Sequence, residues 1–214
     1  MNTNKDYEFI EFEIPAELLQ MQEKGGIPSL EQVNEWYDNT NRNLYVNAQI
    51  DDGLIDYVVY SIRRWNIEDN QKGLTYDQRK PIKIFINSDG GMLAPTMHAC
   101  FVIKKSKTPI YTICQSRAYS SAGLLLSAGH VRYCDQFSSY LLHDGGTGVS
   151  GNLAKVQDAM TFTTIQEKQV KEFVCSTTNI TPQKYAKEYR KDWFMCAEDM
   201  LKYGVVDVIA DEII

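Results

Sequence analysis

The stretch that decides the fold runs from Ile110 to Leu126 and reads IYTICQSRAYSSAGLLL. Its first five residues predict a buried strand, and its last three predict a short apolar helix. A turn of small residues, Ala118 to Gly123, lies between them. Such a turn raises a serine hydroxyl out of the core at a helix N-terminus, where backbone N–H groups are unpaired. Ser120 therefore suits a nucleophile, although the pattern taken alone favours a helix N-cap.

The composition is that of a globular protein with a sizeable core. The chain has 214 residues, of which 43% are hydrophobic and 23% charged, and this predicts one compact domain. A net charge of -6, with scattered lysines and arginines, provides no basic surface for nucleic acid. The first residues lack a secretory signal, and no run approaches the roughly 18 apolar residues of a membrane span. We therefore expect a cytoplasmic protein with neither a nucleic-acid nor a membrane partner.

The cysteines predict no metal site. They form no CxxC pair, and most of them lie in apolar segments, at Cys100, Cys114, Cys134, Cys175 and Cys196. Reduced core thiols are therefore favoured over disulfides or zinc ligands.

Residues 1–41 differ in pattern from the rest of the chain. They contain an alternating stretch at 8–14, a short predicted helix after Pro15, and a helix that begins after Ser29. Ser29 and Gln32 have the spacing of a capping box. No catalytic chemistry is visible in this segment.

From residue 43 onward, apolar strands alternate with helical segments, which predicts an α/β architecture with right-handed crossovers. The predicted strands are 44–46, 82–86, 110–114, 132–134 and 138–142, and the predicted helices are 52–65, 92–104, 152–178, a segment from 181, and 197–203. The polar stretch 68–80 predicts a loop. The long helix at 152–178 is expected to project or to pack on another subunit.

A serine nucleophile requires a base, and the chain has three histidines. His98 is interpreted as a packed residue of its helix, and His130 as a solvated turn residue. His143 ends an apolar strand and precedes a glycine-rich segment, where α/β sites gather side chains. His143 is the best candidate base, and a strand-end histidine bound to the backbone is the alternative.

Gly90 and Gly91 follow the predicted strand 82–86. Glycine at a strand-to-helix turn lets backbone N–H groups approach a developing oxyanion without a Cβ in the way. The pair is also typical of an ordinary β-to-α turn.

Several segments, in this order, resemble the family of ClpP, the proteolytic subunit of the ATP-dependent Clp protease. They are Ile86 to Gly91, Ile113 to Ser120, Leu125 to Gly129, His143, and Ala197 to Asp207. The resemblance implies a single ClpP-like serine peptidase domain over residues 42–214, preceded by a divergent N-terminal extension over 1–41. The implied fold is α/β of the ClpP/crotonase-like type, with repeated β-β-α units and a long projecting helix.

The resemblance also implies the site residues. The nucleophile falls on Ser120, the general base on His143, and the acid on Asp192, which directly precedes Trp193-Phe194-Met195-Cys196. Glu188 is the fallback acid, expected on a solvated face. The implied oxyanion donors are the backbone N–H groups of Gly91 and Ser121. Apolar neighbours favour a tolerant, apolar P1 pocket.

The implied partners are copies of the same chain, in heptameric rings that can pair as a tetradecamer, together with polypeptide substrates and a Clp-type AAA+ unfoldase. The chain contains no GxxxxGKS or GxxxxGKT phosphate loop, so the unfoldase would use the ATP and this chain needs no cofactor. Asp89 replaces the family's usual proline before the glycine pair, and Ser121 replaces its usual methionine.

Two other functions fit the same resemblance. One is a catalytically silent ClpP-like ring subunit, and the other is a crotonase-like acyl-CoA enzyme. Both are disfavoured because all three triad positions are filled by the required residue types.

Overall fold

The computed structural model describes residues 29–146 and 148–212. The chain divides into two units, Met1–Asn41 and Arg42–Ile214. In the first unit, helix α1 spans Leu30–Asn41. Its predicted capping box is confirmed: the Ser29 N–H donates to Gln32 Oε1 at 2.9 Å, and the Gln32 N–H donates to Ser29 Oγ at 3.3 Å. The predicted strand at 8–14 and the helix after Pro15 lie outside the described residues.

The second unit is α/β, as predicted. Its strands are β1 (Asn43–Val46), β2 (Ile82–Ser88), β3 (Ile110–Tyr119), β4 (Val131–Cys134), β5 (Ser139–Leu142), β6 (Trp193–Met195) and β7 (Val208–Ile209). Its helices are α2 (Tyr60–Gln71), α3 (Leu93–Lys105), α4 (Ser121–Ser127), α5 (Leu153–Thr177), α6 (Pro182–Glu188) and α7 (Ala197–Lys202). A π-helical segment, Ile55–Val59, leads directly into α2. The β-β-α order occurs at β4, β5 and α5, while single helices separate the earlier strands.

The strands form one sheet in the order β1-β2-β3-β4-β7, and β5 pairs with both β3 and β6. All pairs are parallel except β5 with β6. Strand β3 changes neighbours along its length, since residues 111–114 pair with β4 and residues 117–119 pair with β5. Ser116, with a φ of 79°, lies between the two halves. This change brings the end of β3 beside the end of β5, which are the places of Ser120 and His143.

The turn after β3 packs against the hydrophobic core. Strand β2 buries Ile82, Ile84 and Ile86 on one face of the sheet and Phe85 on the other. Every residue of α4 is buried as well. A Cβ on Gly123 would lie 2.6 Å from the Tyr140 ring, so only glycine lets α4 approach β5 this closely. The strand-to-helix turn is therefore anchored in the best-packed part of the unit.

The prediction of a loop over residues 68–80 is wrong in part, because α2 continues to Gln71 and a short 3-10 turn follows at Tyr76–Gln78. The reason is a buried ion pair. Asp69 accepts hydrogen bonds from Arg42 at 2.6 and 2.8 Å and from the Thr108 hydroxyl at 2.7 Å. A sequence pattern scored by apolar periodicity cannot show that a polar residue is fixed in the interior in this way.

Helix α5 is long, as predicted, with 25 residues. Val174 is its buried residue, and it leaves large apolar side chains exposed at Leu153, Met160, Phe162 and Ile165. Among the described residues, no helix has the length and apolar character needed to cross a membrane.

Candidate active site

Ser120 lies at a strained turn between β3 and α4. Its φ of 54° and ψ of -125° are unusual for a residue with a Cβ, and such strain is concentrated at functional sites. The turn is held by its backbone, because the Ser120 N–H donates to Leu141 O at 2.9 Å and the Gly123 N–H donates to Ser120 O at 3.0 Å. The Ser120 side chain makes no capping hydrogen bond. The N-cap alternative for this hydroxyl is therefore not what the fold uses.

His143 is the partner of the Ser120 hydroxyl. It directly follows β5, whose Leu141 is in register with Tyr119 of β3. The His143 Nε2 lies 2.8 Å from Ser120 Oγ. Contact at this distance is what general-base activation of a serine requires.

Asp192 lies on the other side of the His143 ring. It precedes β6, and the antiparallel register of Leu142 with Trp193 places residues 143 and 192 next to each other. The distance from His143 Nδ1 to Asp192 Oδ1 is 3.5 Å, and the Asp192 side chain is 68% exposed. This contact is longer than a normal hydrogen bond, so the carboxylate faces the imidazole without a tight bond to it.

Glu188, the fallback acid, is engaged elsewhere. Its carboxylate lies 3.3 Å from Lys184 Nζ and 3.8 Å from Lys191 Nζ, and its side chain is only 16% exposed. The expected solvated face is therefore wrong. The hydrogen bond from Lys184 lowers the pKa of Glu188. Two lysines hold this carboxylate, and Asp192 is the acidic group beside His143.

The two predicted oxyanion donors are available. Both backbone groups of Gly90 have partners within the protein. Its N–H donates to Ser88 Oγ at 3.0 Å, and its carbonyl accepts from the Ile50 N–H at 2.8 Å. Within the described part of the chain, the N–H groups of Gly91 and Ser121 donate to no protein acceptor. Both N–H groups can therefore donate a hydrogen bond to an oxyanion.

Glycine is required at both positions of this turn. Gly90 has a φ of 94°, and a Cβ there would lie 2.6 Å from Tyr119 O and 2.9 Å from Ser120 Cβ. Gly91 has a φ of 152°, and a Cβ there would lie 2.1 Å from Ile50 O. Both the conformation and the space exclude a side chain, so glycine is required at both positions.

Sequence reasoning missed an ion pair at the same turn. Arg117 Nε donates to Asp89 Oδ1 at 2.6 Å, and the second guanidinium nitrogen donates to Asp89 Oδ2 at 3.2 Å. The carboxylate raises the pKa of Arg117. The available signal was the replacement of the family's proline by Asp89 together with a basic residue just before the serine turn.

A cavity of about 480 Å³ opens beside the serine. Its lining combines apolar and polar residues: Gly91, Met92, Leu93, Ser120, Ser121, Leu124, Leu142, His143, Asp144, Gly145, Gly146, Thr163, Gln166, Glu167, Val170, Tyr185 and Tyr189. The expectation of an apolar pocket is correct in part: the cavity is lined by apolar side chains at Met92, Leu93, Leu124, Leu142 and Val170. Asp144 and Glu167 bring carboxylates to the same cavity. The Ser121 hydroxyl is buried and has no partner among the described residues, so it is not a second accessible nucleophile.

The other two histidines do not have the surroundings expected of them. His98 is exposed on α3, where its Nε2 lies 3.4 Å from an Arg63 nitrogen, so it is not a packed residue. His130 is half-buried rather than solvated, and its Nδ1 accepts the Ile110 N–H at 3.2 Å. Burial lowers the pKa of His130. Neither contacts Ser120.

The cysteines are free thiols, as predicted, and three of them are core residues: Cys100, Cys114 and Cys134. Burial raises the pKa of Cys114 and of Cys134 to about 12, so neither carries a reactive thiolate. Cys175 is half-buried and Cys196 is exposed. In residues 29–146 and 148–212, no cluster of histidine, cysteine or acidic side chains has the arrangement of a metal site.

Comparison with known proteins identifies a family for this chain. The family model described as Clp protease matches residues 39–212. A segment of 138 residues is 30% identical to ATP-dependent Clp protease proteolytic subunit 2 of Chlamydia abortus, covering 64% of this chain and 67% of the relative. The same length is 30% identical to proteolytic subunit 1 of Chlamydia felis, with 68% of the relative covered. Proteolytic subunit 2 of Chlamydia trachomatis serovar D is 29% identical over an equal length.

Proposed function

The chain belongs to the Clp protease family, and from that premise we propose that it is a serine endopeptidase that hydrolyses unfolded polypeptides inside a chamber built from its own copies. The observation that carries the proposal is the 2.8 Å contact between Ser120 Oγ and His143 Nε2. A structural serine at this turn would cap α4, and Ser120 does not. The strained backbone conformation of Ser120 directs this hydroxyl toward the imidazole.

The proposed reaction is acyl transfer to Ser120. His143 Nε2 takes the hydroxyl proton as Oγ attacks the peptide carbonyl, and it then gives the proton to the leaving amine. The N–H groups of Gly91 and Ser121 stabilise the negative charge on the carbonyl oxygen. Water hydrolyses the resulting acyl-enzyme by the same proton route. These groups account for every proton transfer, so the proposed cycle uses no cofactor.

Asp192 has the proposed role of holding the Nδ1 proton of His143, which fixes the tautomer with a free Nε2. The 3.5 Å separation and the exposure of this carboxylate mean that the Asp192–His143 interaction is weak in the single subunit. A neighbouring subunit that covers Asp192 would strengthen the interaction by excluding water from it. We therefore include assembly in the proposed function.

The exposed apolar side chains of α5 support assembly. Phe162 is 59% exposed and Ile165 is 50% exposed on a helix with little burial of its own. Apolar surface of this kind is typical of an interface. We propose heptameric rings, or a tetradecamer of two rings, that receive polypeptide from a separate Clp-type AAA+ unfoldase, which would use the ATP.

A catalytically silent ring subunit is the second candidate. The observation that favours it is the exposure of Asp192, because a subunit that does not catalyse would need no tight bond between this carboxylate and His143. Hydrolysis of a short fluorogenic peptide separates the two. We expect the assembled wild type to cleave the peptide and to leave folded proteins intact in the absence of an unfoldase. Ser120→Ala should lose about 10⁴-fold or more of the rate with an unchanged sizing profile. An assembled wild type that cleaves no peptide would establish the silent subunit instead.

A further inference from the structure

The two oxyanion donors lie on different segments of the chain. Gly91 follows β2, and Ser121 follows β3. The backbone ladder between these strands ends at the pair Ser88 with Ala118, after an irregularity between Ile86 and Ser88. Beyond that pair, strand hydrogen bonds no longer fix the separation of the donors. Donor positions matter at the level of tenths of an ångström, because a hydrogen bond to an oxyanion weakens quickly with distance.

One side-chain cross-link joins the two segments at the end of the ladder. Asp89 is the residue after Ser88, and Arg117 is the residue before Ala118, and their side chains form two parallel hydrogen bonds at 2.6 and 3.2 Å. A bidentate pair of this kind fixes direction as well as distance. The pair therefore crosses the last ladder pair diagonally, and it links the residue that follows Ser88, on the side of Gly91, to the residue that precedes Ala118 on β3.

The rest of the turn is fixed from the opposite side. The Ile50 N–H donates to Gly90 O at 2.8 Å, and the Met92 N–H donates to Ile50 O at 2.8 Å. Ser88 Oγ accepts the Gly90 N–H and donates to Ala48 O at 2.6 Å. These bonds tie the turn to the segment before α2, and none of them ties it to β3. The Asp89–Arg117 pair supplies that second tie.

Global stability does not explain the pair. The Asp89 side chain is 69% exposed and the Arg117 side chain is 39% exposed, and exposed pairs contribute little to folding. An aspartate also leaves free the φ angle that the family's usual proline would lock. We propose that Asp89 and Arg117 are positioning residues that hold the Gly91 N–H in register with Ser120 and the Ser121 N–H. This inference rests on the proposed peptidase function.

The test uses the assembled full-length protein and a short fluorogenic peptide. Asp89→Asn and Arg117→Gln should each lower kcat about 5-fold and leave KM nearly unchanged, because the donors act on the transition state more than on bound substrate. Arg117→Lys, which keeps the charge and loses the fork, should lie between these variants and wild type. The reversed pair, Asp89→Arg with Arg117→Asp, should recover kcat to within about 2-fold of wild type.

Ionic strength provides a further test of the ion pair, and Glu68→Gln is the matched control. The wild-type kcat should approach that of Asp89→Asn as ionic strength rises toward 1 M, where screening acts within about 3 Å. Glu68→Gln removes another exposed carboxylate, 4.0 Å from Arg64 on α2, and should leave kcat unchanged.

Each outcome decides the proposal. Wild-type kcat in both single variants would overturn it, and so would a loss of kcat that follows a loss of assembly on sizing, or a reversed pair no better than the single variants. A serine-directed phosphonate tests the function on which the inference rests. If it modifies Ser120 while the single variants keep full kcat, the positioning role fails and the peptidase stands. If wild type is neither modified nor active, the peptidase itself fails.

Discussion

The two nitrogens of the His143 ring face different parts of the molecule. Nε2 lies 2.8 Å from Ser120 Oγ, at the ends of the parallel strands β3 and β5, whose paired residues Ala118 and Tyr140 are buried. Nδ1 lies 3.5 Å from an Asp192 carboxylate that is 68% exposed and precedes the three-residue strand β6. The nucleophile and base are thus fixed by the centre of the sheet, and the acid is carried by its edge.

This difference shows which part of the site each level of structure determines. Sheet pairing and core packing set the Ser120–His143 contact within a single subunit. The Asp192 contact depends on a short surface segment, the kind of segment that opens most easily. We infer that the first contact is insensitive to assembly and the second is not.

The largest effect is expected from removing the base. His143→Ala should lower kcat/KM about 10⁴-fold, because Ser120 then loses the imidazole that takes its proton. His98→Ala is the matched control, since His98 is exposed on α3 and should leave peptide hydrolysis unchanged. Comparable loss in the two variants would contradict the assignment of the base.

A smaller effect is expected from changing Asp192. Asp192→Asn should lower kcat/KM about 10²-fold, less than the roughly 10⁴-fold known for a buried, tightly bonded triad aspartate. Glu188→Gln should stay within about 2-fold of wild type, because Lys184 and Lys191, and not His143, hold that carboxylate. Steady-state kinetics on one peptide checks both. A greater loss in Glu188→Gln than in Asp192→Asn would reverse the choice of acid.

The oxyanion turn can be tested against a second glycine. Gly90→Ala should lower kcat about 10-fold, since its Cβ would displace Tyr119 O and Ser120 Cβ. Gly73 has a similar φ of 65° with open space around it, so Gly73→Ala introduces the backbone strain alone. The control should lose stability of about 1 kcal/mol and keep its kcat. Equal kcat in both variants would show that Gly90 is not required for catalysis.

The smallest catalytic effect is expected far from the site, at the buried pair of Arg42 and Asp69. Asp69→Asn should lower the free energy of unfolding by about 3 kcal/mol, because Arg42 keeps a charge without its partner. The kcat per folded molecule should stay unchanged. Denaturant titration and peptide kinetics measured together separate the two effects.

The pH dependence of the same pair has a defined sign. The Arg42 hydrogen bond lowers the pKa of Asp69 against the opposing effect of burial. A lowered folded pKa gives stability that is present above the unfolded pKa of about 3.9 and is lost as pH falls through the folded value. The stability advantage of wild type over Asp69→Asn should therefore shrink below about pH 4. An advantage that grows at low pH would contradict the ion-pair account.

Much of the fold could be predicted because apolar patterns report burial directly. The apolar pattern predicts the strands at 82–86 and 110–114 and the long helix after Asn152, and the structure extends β3 to Tyr119. The extension was hidden because Gln115, Ser116 and Arg117 interrupt the apolar run where the strand changes neighbours.

The site was predicted less evenly. Ser120, His143 and the glycine pair follow recognisable strand ends, so their positions could be inferred from local pattern. The Asp89–Arg117 pair, the buried Asp69 and the carboxylate of Glu167 in the cavity could not. Each of these depends on which distant segments meet in three dimensions, and a polar residue carries no periodic signal of its partner.

The most direct test of the central claim is the mass of the protein after treatment with a serine-directed phosphonate. We expect one adduct per subunit of the assembled wild type, located on Ser120 by peptide mapping, absent in Ser120→Ala and strongly slowed in His143→Ala. An adduct that persists in Ser120→Ala, or an assembled wild type that remains unmodified, would contradict it.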